Sequence, residues 1–305
     1  MRLDTKHLLT IRDLSPDEVR GLVARAAELK AGWPAGTRPR PLADKVVALI
    51  FEKASTRTRV SFEVGVTQLG GRTIFMTNRD SQLGRSEPLK DTARVLSRYV
   101  DALVVRTFGQ EVLGELTKYG SIPVVNALTD LYHPCQVLSD LLTVSEVKGR
   151  LEGLTYCWLG DGNNMAHSWL EAAAKLGLRL RLACPEGFQP DPGILAHARA
   201  QGAEVLLTDD PREAIAGAEV VNTDVWASMG QEEDAERRRK LFDGYTLDAK
   251  LLSLAAKDAM VLHCLPAHRG EEIGEEVLEG PQAEVWRQAE NRLHMQKAIL
   301  EALVG

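Results

Sequence analysis

Val46-Val47-Ala48-Leu49-Ile50-Phe51-Glu52-Lys53-Ala54-Ser55-Thr56-Arg57-Thr58-Arg59 decides how this chain is read. Its first six residues are a short apolar, β-rich run, as expected of a buried strand. The stretch Val60 to Leu69 has helical character and stops at Gly70-Gly71. A strand that passes through hydroxyls and guanidinium groups into a helix is suited to phosphate. The first helical N–H groups have no partner in the helix, the helix dipole favours an anion there, and arginine adds planar charge-assisted donors. The same residues also fit a plainer reading, in which Ser55 and Thr56 cap the helix and the arginines are solvated.

Outward from this stretch the pattern repeats. Upstream, Ser15-Pro16-Asp17-Glu18 predicts a helix start with a capping box, Leu14 and Val19 are spaced for a hydrophobic staple, and Val19, Leu22, Val23, Ala26 and Leu29 line one helical face. Downstream, strand-like runs at Thr73–Met76, Ala102–Thr107 and Ile122–Ala127 alternate with helical stretches at Leu89–Tyr99, Gln110–Tyr119 and Gln136–Lys148. A second set begins at Leu154, with strands expected at Leu154–Leu159, Leu178–Cys184, Glu204–Thr208, Val220–Val225 and Met260–Leu265. Its helices are expected at Met165–Leu176, Pro192–Ala200, Glu232–Leu241 and Leu247–Ala256, before a last helix over Ala283–Leu303. Alternating strands and helices predict α/β architecture: two domains, each a parallel sheet flanked by helices. The expected boundaries are 1–148 and 149–288, with the C-terminal helix, 289–305, packing back on the first domain.

Composition sets limits on function. The 305 residues suffice for two such domains. Net charge is −6, with 37 Lys and Arg against 43 Asp and Glu, which argues against a nucleic-acid partner. No apolar run approaches the length of a membrane span, and Met1-Arg2-Leu3-Asp4-Thr5 lacks the cationic-then-apolar layout of a signal peptide. The four cysteines, Cys135, Cys157, Cys184 and Cys264, lie far apart and read as free thiols. The expectation is a cytoplasmic protein that binds neither membrane nor nucleic acid.

In open parallel sheets ligands bind at the carboxyl ends of strands. Six polar clusters fall at such ends: Ser55–Thr58, Arg106-Thr107-Phe108, His133-Pro134-Cys135-Gln136, Asp161-Gly162-Asn163-Asn164, Asp224 to Gly230, and His263-Cys264-Leu265-Pro266. Each has a plain alternative. Arg106 fits a surface arginine, His133 a turn residue, Cys264 a small core residue, and Asp224 and Asn164 helix caps. His133/Cys135 and His263/Cys264 lack structural-zinc spacing, so no metal is expected. The run Arg237-Arg238-Arg239-Lys240 follows Glu233, Asp234 and Glu236 at i,i+4 spacing and reads as a solvated helix face. Gly160-Asp161-Gly162 resembles the start of a dinucleotide fingerprint, but Asn163 and Cys184-Pro185 depart from it, leaving an oxidoreductase as the remote alternative.

Taken together, four of these motifs carry a resemblance. Ser55-Thr56-Arg57-Thr58-Arg59, His133-Pro134-Cys135-Gln136, Asp224 with Ser228-Met229-Gly230, and His263-Cys264-Leu265-Pro266 are similar, in this order, to those of the transcarbamylase family over essentially the whole chain. The last two motifs, and Gln82 in Asp80-Ser81-Gln82-Leu83-Gly84, favour the branch whose acceptor is ornithine. Aspartate, putrescine and modified ornithine are the alternative acceptors on the same scaffold.

The resemblance implies carbamoyl phosphate and L-ornithine as substrates, L-citrulline and phosphate as products, and no metal or organic cofactor. It also implies a homotrimer with sites at subunit interfaces, leaving larger assemblies open. For carbamoyl phosphate it implies Ser55, Thr56, Arg57, Thr58, Gln82 from a neighbouring subunit, Arg106, His133, Pro134, Cys135, Gln136, Cys264, Leu265 and Arg292. Thr58, Arg106 and His133 would face the carbonyl oxygen, and Gln136 and the Leu265 carbonyl would orient the carbamoyl NH₂. For ornithine it implies Asn164, Asp224, Ser228 and Met229, with Cys264 beside the attacking amine. Arg106, His133 and Cys264 are the expected catalytic residues.

Overall fold

β1 (Val46–Phe51) is buried from Val47 onward, and its place in the sheet explains why. The structure, a computed structural model, describes residues 2–77, 87–227 and 235–305. The first of its two units comprises residues 1–142 and 291–305. Its order is a short 3₁₀ turn (Ile11–Asp13), α1 (Pro16–Gly32), β1, α2 (Thr56–Gln68), β2 (Arg72–Thr77), α3 (Leu89–Leu96), β3 (Ala102–Arg106), α4 (Gln110–Tyr119), β4 (Val124–Leu128) and the start of α5 (Pro134–Lys148). The sheet is wholly parallel, in the order β2-β1-β3-β4. β1 and β3 are central and covered on both faces, so they are apolar but for Arg106 at the carboxyl end of β3; β2 is an edge strand and leaves Arg72 and Ile74 exposed.

The second unit, residues 143–290, contains β5 (Thr155–Leu159), α6 (Asn164–Leu176), β6 (Arg179–Ala183), α7 (Pro192–Ala200), β7 (Glu204–Thr208), α8 (Pro211–Ile215), β8 (Val220–Thr223), α9 (Ala235–Leu241), α10 (Ala249–Leu252), β9 (Met260–His263), α11 (Glu275–Leu278) and the start of α12 (Val285–Val304). Its parallel sheet has the order β7-β6-β5-β8-β9. β9 is terminal in this sheet yet fully buried. Val261 exchanges backbone hydrogen bonds with Gln282 and Glu284, so a passing segment closes the open edge.

The α/β fold class read from the alternating pattern is the one found. The C-terminal helix also belongs with the first unit. Arg25 of α1 forms a forked pair with Glu301 at 2.8 and 2.9 Å, Lys30 donates to Asn291 at 2.7 Å, and Lys297 donates to Gln68 of α2 at 3.0 Å.

Several element bounds differ from the sequence expectation. α2 begins at Thr56 rather than Val60, so Thr56, Arg57 and Thr58 form its first turn. β9 ends at His263, because Leu265 adopts φ +58° and takes the chain out of the sheet. The helix expected over Leu247–Ala256 shrinks to α10, capped by Asp248. The short helices α8 and α11 had no expectation at all; neither is long enough to show a 3.6-residue period.

At α1 the cap is built as its sequence suggests. Ser15 Oγ accepts the Glu18 N–H at 3.2 Å, and the Glu18 carboxylate accepts the Ser15 and Asp4 N–H groups, both at 2.7 Å. Leu14 and Val19 are buried beside it. Replacing Ser15 with alanine is expected to cost about 1 kcal/mol. Urea unfolding would show it as a lower midpoint at unchanged slope; an unmoved midpoint would mean the cap contributes nothing.

Candidate functional site

Both sheets have a topological switch point, and the chemically capable residues leave the sheets there. In the first unit β1 and β3 are neighbours whose following helices diverge, and Phe51 pairs with Arg106 at the carboxyl edge. In the second the neighbours are β5 and β8, with Leu159 opposite Thr223 and Thr223 opposite His263. The residues that follow, Gly160, Asp224 and Cys264, therefore emerge from three adjacent strands at one level.

In the first unit, Ser55 is the N-cap of α2 and accepts the Thr58 N–H at 3.3 Å. Thr56 and Arg57 in the first turn are exposed, and Arg57 has no ion pair or side-chain hydrogen bond among the described residues. An exposed guanidinium beside a helix N-terminus is an anion-binding arrangement. Thr58 is buried instead, and its hydroxyl accepts from Arg292 Nη2 at 2.7 Å. Arg292 Nη1 donates to Gln136 Oε1, and Gln136 Nε2 donates to Asp140 at 2.8 Å. A continuous buried chain, Thr58–Arg292–Gln136–Asp140, thus joins α2, α12 and α5.

Arg106 and His133 are also buried, at the ends of β3 and just before α5. Burial, helped by the charges of Arg292 and Arg106, holds the His133 imidazole well below its ordinary pKa, so the ring is neutral at pH 7. Just past the ends of β1 and β3, Glu52 accepts from the Thr107 hydroxyl, and Lys53 pairs with Asp130 while lying 4.2 Å from the centre of the Phe108 ring. Pro134 is the first residue of α5. Cys135 turns into the core, donating to the Asn126 carbonyl at 3.3 Å with its thiol pushed up to about 12 by burial. Its side chain is spent there, and only its backbone is available to a ligand.

In the second unit the hub is Asp224. One carboxylate oxygen accepts from Cys264 Sγ at 3.0 Å and from the Val225 N–H at 2.9 Å; the other accepts from Asn163 Nδ2 at 3.2 Å. Asn163 is also the N-cap of α6, accepting the Met165 N–H at 2.9 Å. Asn164, the residue the resemblance implies for ornithine, is the first residue of α6 and half-buried; the bond to Asp224 adds Asn163 to the cluster. A side chain that caps with its oxygen and reaches a carboxylate with its nitrogen looks like any other cap in one dimension.

Both ring nitrogens of His263 are engaged by groups other than Cys264. Its Nδ1 accepts the Leu265 N–H at 2.9 Å, which assigns the ring proton to Nε2, 3.1 Å from the buried Glu272 carboxylate. Asp224, His263 and Cys264 offer ligand atoms within 4.8 Å of one another. With both ring nitrogens of His263 committed, the trio is not arranged to take a cation. Gln82, Ser228 and Met229 lie outside the described residues.

The glycines that resembled a dinucleotide fingerprint have another explanation. A Cβ on Gly162 would sit 2.2 Å from the Pro190 nitrogen, and its own N–H donates to the Phe188 carbonyl at 2.8 Å. The residue is glycine because the chain at 188–190 packs directly on it, and its amide is not free for a pyrophosphate. The Arg237–Lys240 run also needs correction. Arg237, Arg239 and Lys240 are exposed, but Arg238 is buried and paired with Asp161 at 2.6 Å.

Comparison with known proteins agrees with this division. Residues 6–146 match the carbamoyl-P binding domain of aspartate/ornithine carbamoyltransferase, and residues 152–303 match the Asp/Orn binding domain of that family. The chain belongs to the aspartate/ornithine carbamoyltransferase family. Ornithine carbamoyltransferase of Desulfotalea psychrophila is 59% identical over 300 residues, covering 98% of this chain and 99% of the relative. Among solved structures, ornithine carbamoyltransferase from Pyrococcus furiosus has a TM-score of 0.94 at 45% identity, covering 98% of this chain and 97% of that one. The anabolic ornithine carbamoyltransferase from Campylobacter jejuni has a TM-score of 0.91 at 45% identity, covering 97% and 98%. The family's second domain extends to residue 303, whereas residues 291–305 here pack with the first unit.

The depressed His133 has a consequence for stability. Below about pH 6.5 the unfolded chain binds a proton at this histidine that the folded chain does not, so the contribution of His133 to stability falls as pH falls through that value. Urea unfolding at pH 7 and pH 5 should show a smaller loss between the two for His133→Asn than for the unaltered protein. Equal losses would mean the buried ring is protonated along with the unfolded one.

Proposed function

We propose that this chain transfers the carbamoyl group of carbamoyl phosphate to the side-chain amine of L-ornithine, giving L-citrulline and phosphate. The observation that carries the reading is the division of chemistry between the units. The first presents exposed Arg57 at a helix N-terminus beside buried Arg106 and Arg292, a set suited to a phosphate dianion. The second presents Asp224, hydrogen bonded to Cys264, a set suited to an amino acid bearing ammonium groups. The close relatives named ornithine carbamoyltransferase support the same choice of acceptor.

In this reading Ser55, Thr56 and Arg57 hold the phosphate, with Gln82 of a neighbouring subunit completing the site. Thr58, Arg106 and neutral His133 stabilise the charge that develops on the carbonyl oxygen as the amine attacks. Gln136 Oε1 has two lone pairs; Arg292 uses one, and the other accepts from the carbamoyl NH₂, with the Leu265 carbonyl as a second acceptor. Pro134 and Cys135 contribute backbone only.

A carboxylate offers about four acceptor positions, and three at Asp224 are taken by Asn163, Val225 and Cys264. The fourth receives an ornithine N–H. Asn164, Ser228 and Met229 take the rest of the amino-acid group. Only a deprotonated side-chain amine attacks, and Cys264, oriented by its bond to Asp224, positions that nitrogen. A covalent Cys264 intermediate is disfavoured, because its partner is a carboxylate and both ring nitrogens of His263 are committed to Leu265 and Glu272.

The domain assignment is that residues 1–148, with 289–305, bind carbamoyl phosphate and residues 149–288 bind ornithine. The reading also includes a cytoplasmic homotrimer acting in arginine biosynthesis; a fully active monomer in sedimentation would overturn the trimer.

The test is citrulline formation from carbamoyl phosphate and ornithine, with aspartate and putrescine as competing acceptors. Arg57→Ala should raise the KM for carbamoyl phosphate, and His133→Gln should cost about a hundredfold or more in kcat, as expected for loss of an oxyanion donor. Cys264→Ala should act on ornithine and on rate. Unchanged kinetic constants in Cys264→Ala, or preference for another acceptor, would overturn the acceptor assignment.

A further inference from the structure

Among the four consecutive cations 237–240, Arg238 is set apart by burial and by what it touches. Arg239 pairs with Glu271 at 2.7 Å and Lys240 with Glu236 at 3.5 Å, both in the open. Arg238 instead turns inward, and its Nη1 donates to Asp161 Oδ2 and to the Trp226 carbonyl, each at 2.6 Å. Its guanidinium carbon lies 4.8 Å from the centre of the Phe188 ring, and Phe188 and Trp226 both pack on Phe242.

These contacts bear on the segments that carry the acceptor cluster. Asp161 lies two residues before Asn163, which holds one oxygen of Asp224, and Trp226 lies two residues after Asp224. One guanidinium therefore ties the turn after β5 to the turn after β8, on either side of Asp224. The charge arrangement requires it. Burial and the nearby Asp224 charge both push the Asp161 carboxyl upward, and Arg238 opposes them. Without Arg238, a largely buried carboxylate under the influence of the Asp224 charge would be left uncompensated.

We propose that Arg238 and Asp161 are positioning residues for the acceptor amino acid: their ion pair sets the turns that hold Asn163 and Asp224, without touching either substrate. This rests on the carbamoyl-transfer reading above. Lysine would keep the charge, but its ammonium ends short of the Nη1 position that meets Asp161 and the Trp226 carbonyl, and it has no planar face to lay over Phe188.

The experiment is steady-state citrulline formation by Arg238→Lys and Asp161→Asn, varying each substrate in turn, with thermal unfolding measured alongside. Asp161→Asn keeps an acceptor of the same shape and decides the matter if Arg238→Lys does not fold. The expected result is an ornithine KM raised about tenfold in each variant, as for loss of a charged hydrogen bond, with the carbamoyl phosphate KM unmoved. A role confined to stability would lower the unfolding temperature and the amount of active enzyme but leave both KM values alone. An unchanged ornithine KM, or a rise shared equally by both substrates, overturns the proposal. If the unaltered chain makes no citrulline, it is the carbamoyl-transfer reading that fails.

Discussion

Arg292 is almost wholly buried, and a buried guanidinium is costly to desolvate unless its donors find acceptors. Two of its donors find acceptors, joining Thr58 on α2 to Gln136 on α5 from its own place on α12, so helices far apart in sequence are held by one cation. The remaining features of the first unit's site follow from it. Thr58 is turned inward while Arg57, its neighbour in the same helical turn, remains outside, which separates the residue expected at a carbonyl from the one expected at a phosphate. The charge of Arg292 also contributes to keeping His133 neutral, and a neutral imidazole can offer a hydrogen bond without adding a further cation. The ion pair of Arg25 with Glu301 and the bond from Lys297 to Gln68 hold α12 in the same place by other means.

The second unit is organised around a carboxylate, with acceptors where the first has donors. Asp224 collects a thiol, a backbone N–H and a side-chain amide, and the segments supplying them come from β5, β8 and β9. Matched strand lengths make this arrangement possible: Leu159, Thr223 and His263 are in register, so each strand releases its next residue at the same edge. At β9 the exit is sharpened by Leu265, a non-glycine residue at φ +58°, whose N–H is held by His263. A left-handed conformation at a leucine costs about 1–2 kcal/mol. His263, itself fixed by Glu272, is the side chain that holds this conformation in place.

Much of this was legible in one dimension and some was not, and the difference lies in the kind of interaction. Strands such as Val46–Phe51 and the capped start of α1 depend on neighbours within a few residues, so composition and spacing reveal them. The local pattern of Arg238, acidic residues one helical turn before basic ones, fits a solvated face; the partner that draws it inward, Asp161, is 77 residues away. Asn163 and Asn164 look alike in one dimension because both can cap a helix, and the bond from Asn163 to Asp224 exists only in the fold. Gly162 misled in the opposite sense, since its lack of a side chain serves the approach of Pro190 and not a nucleotide.

Residue order alone specifies an α/β protein with two parallel sheets, polar clusters at strand carboxyl ends, and the motifs of a carbamoyl-transfer family. It can do so because periodicity, caps and short motifs are local, and because parallel sheets put their ligands at one predictable edge. Which residues meet is fixed in three dimensions: Arg292 with Thr58 and Gln136, Asp224 with Cys264 and Asn163, Arg238 with Asp161. Those pairings depend on strand order and register, set when apolar surfaces far apart in the chain are buried together.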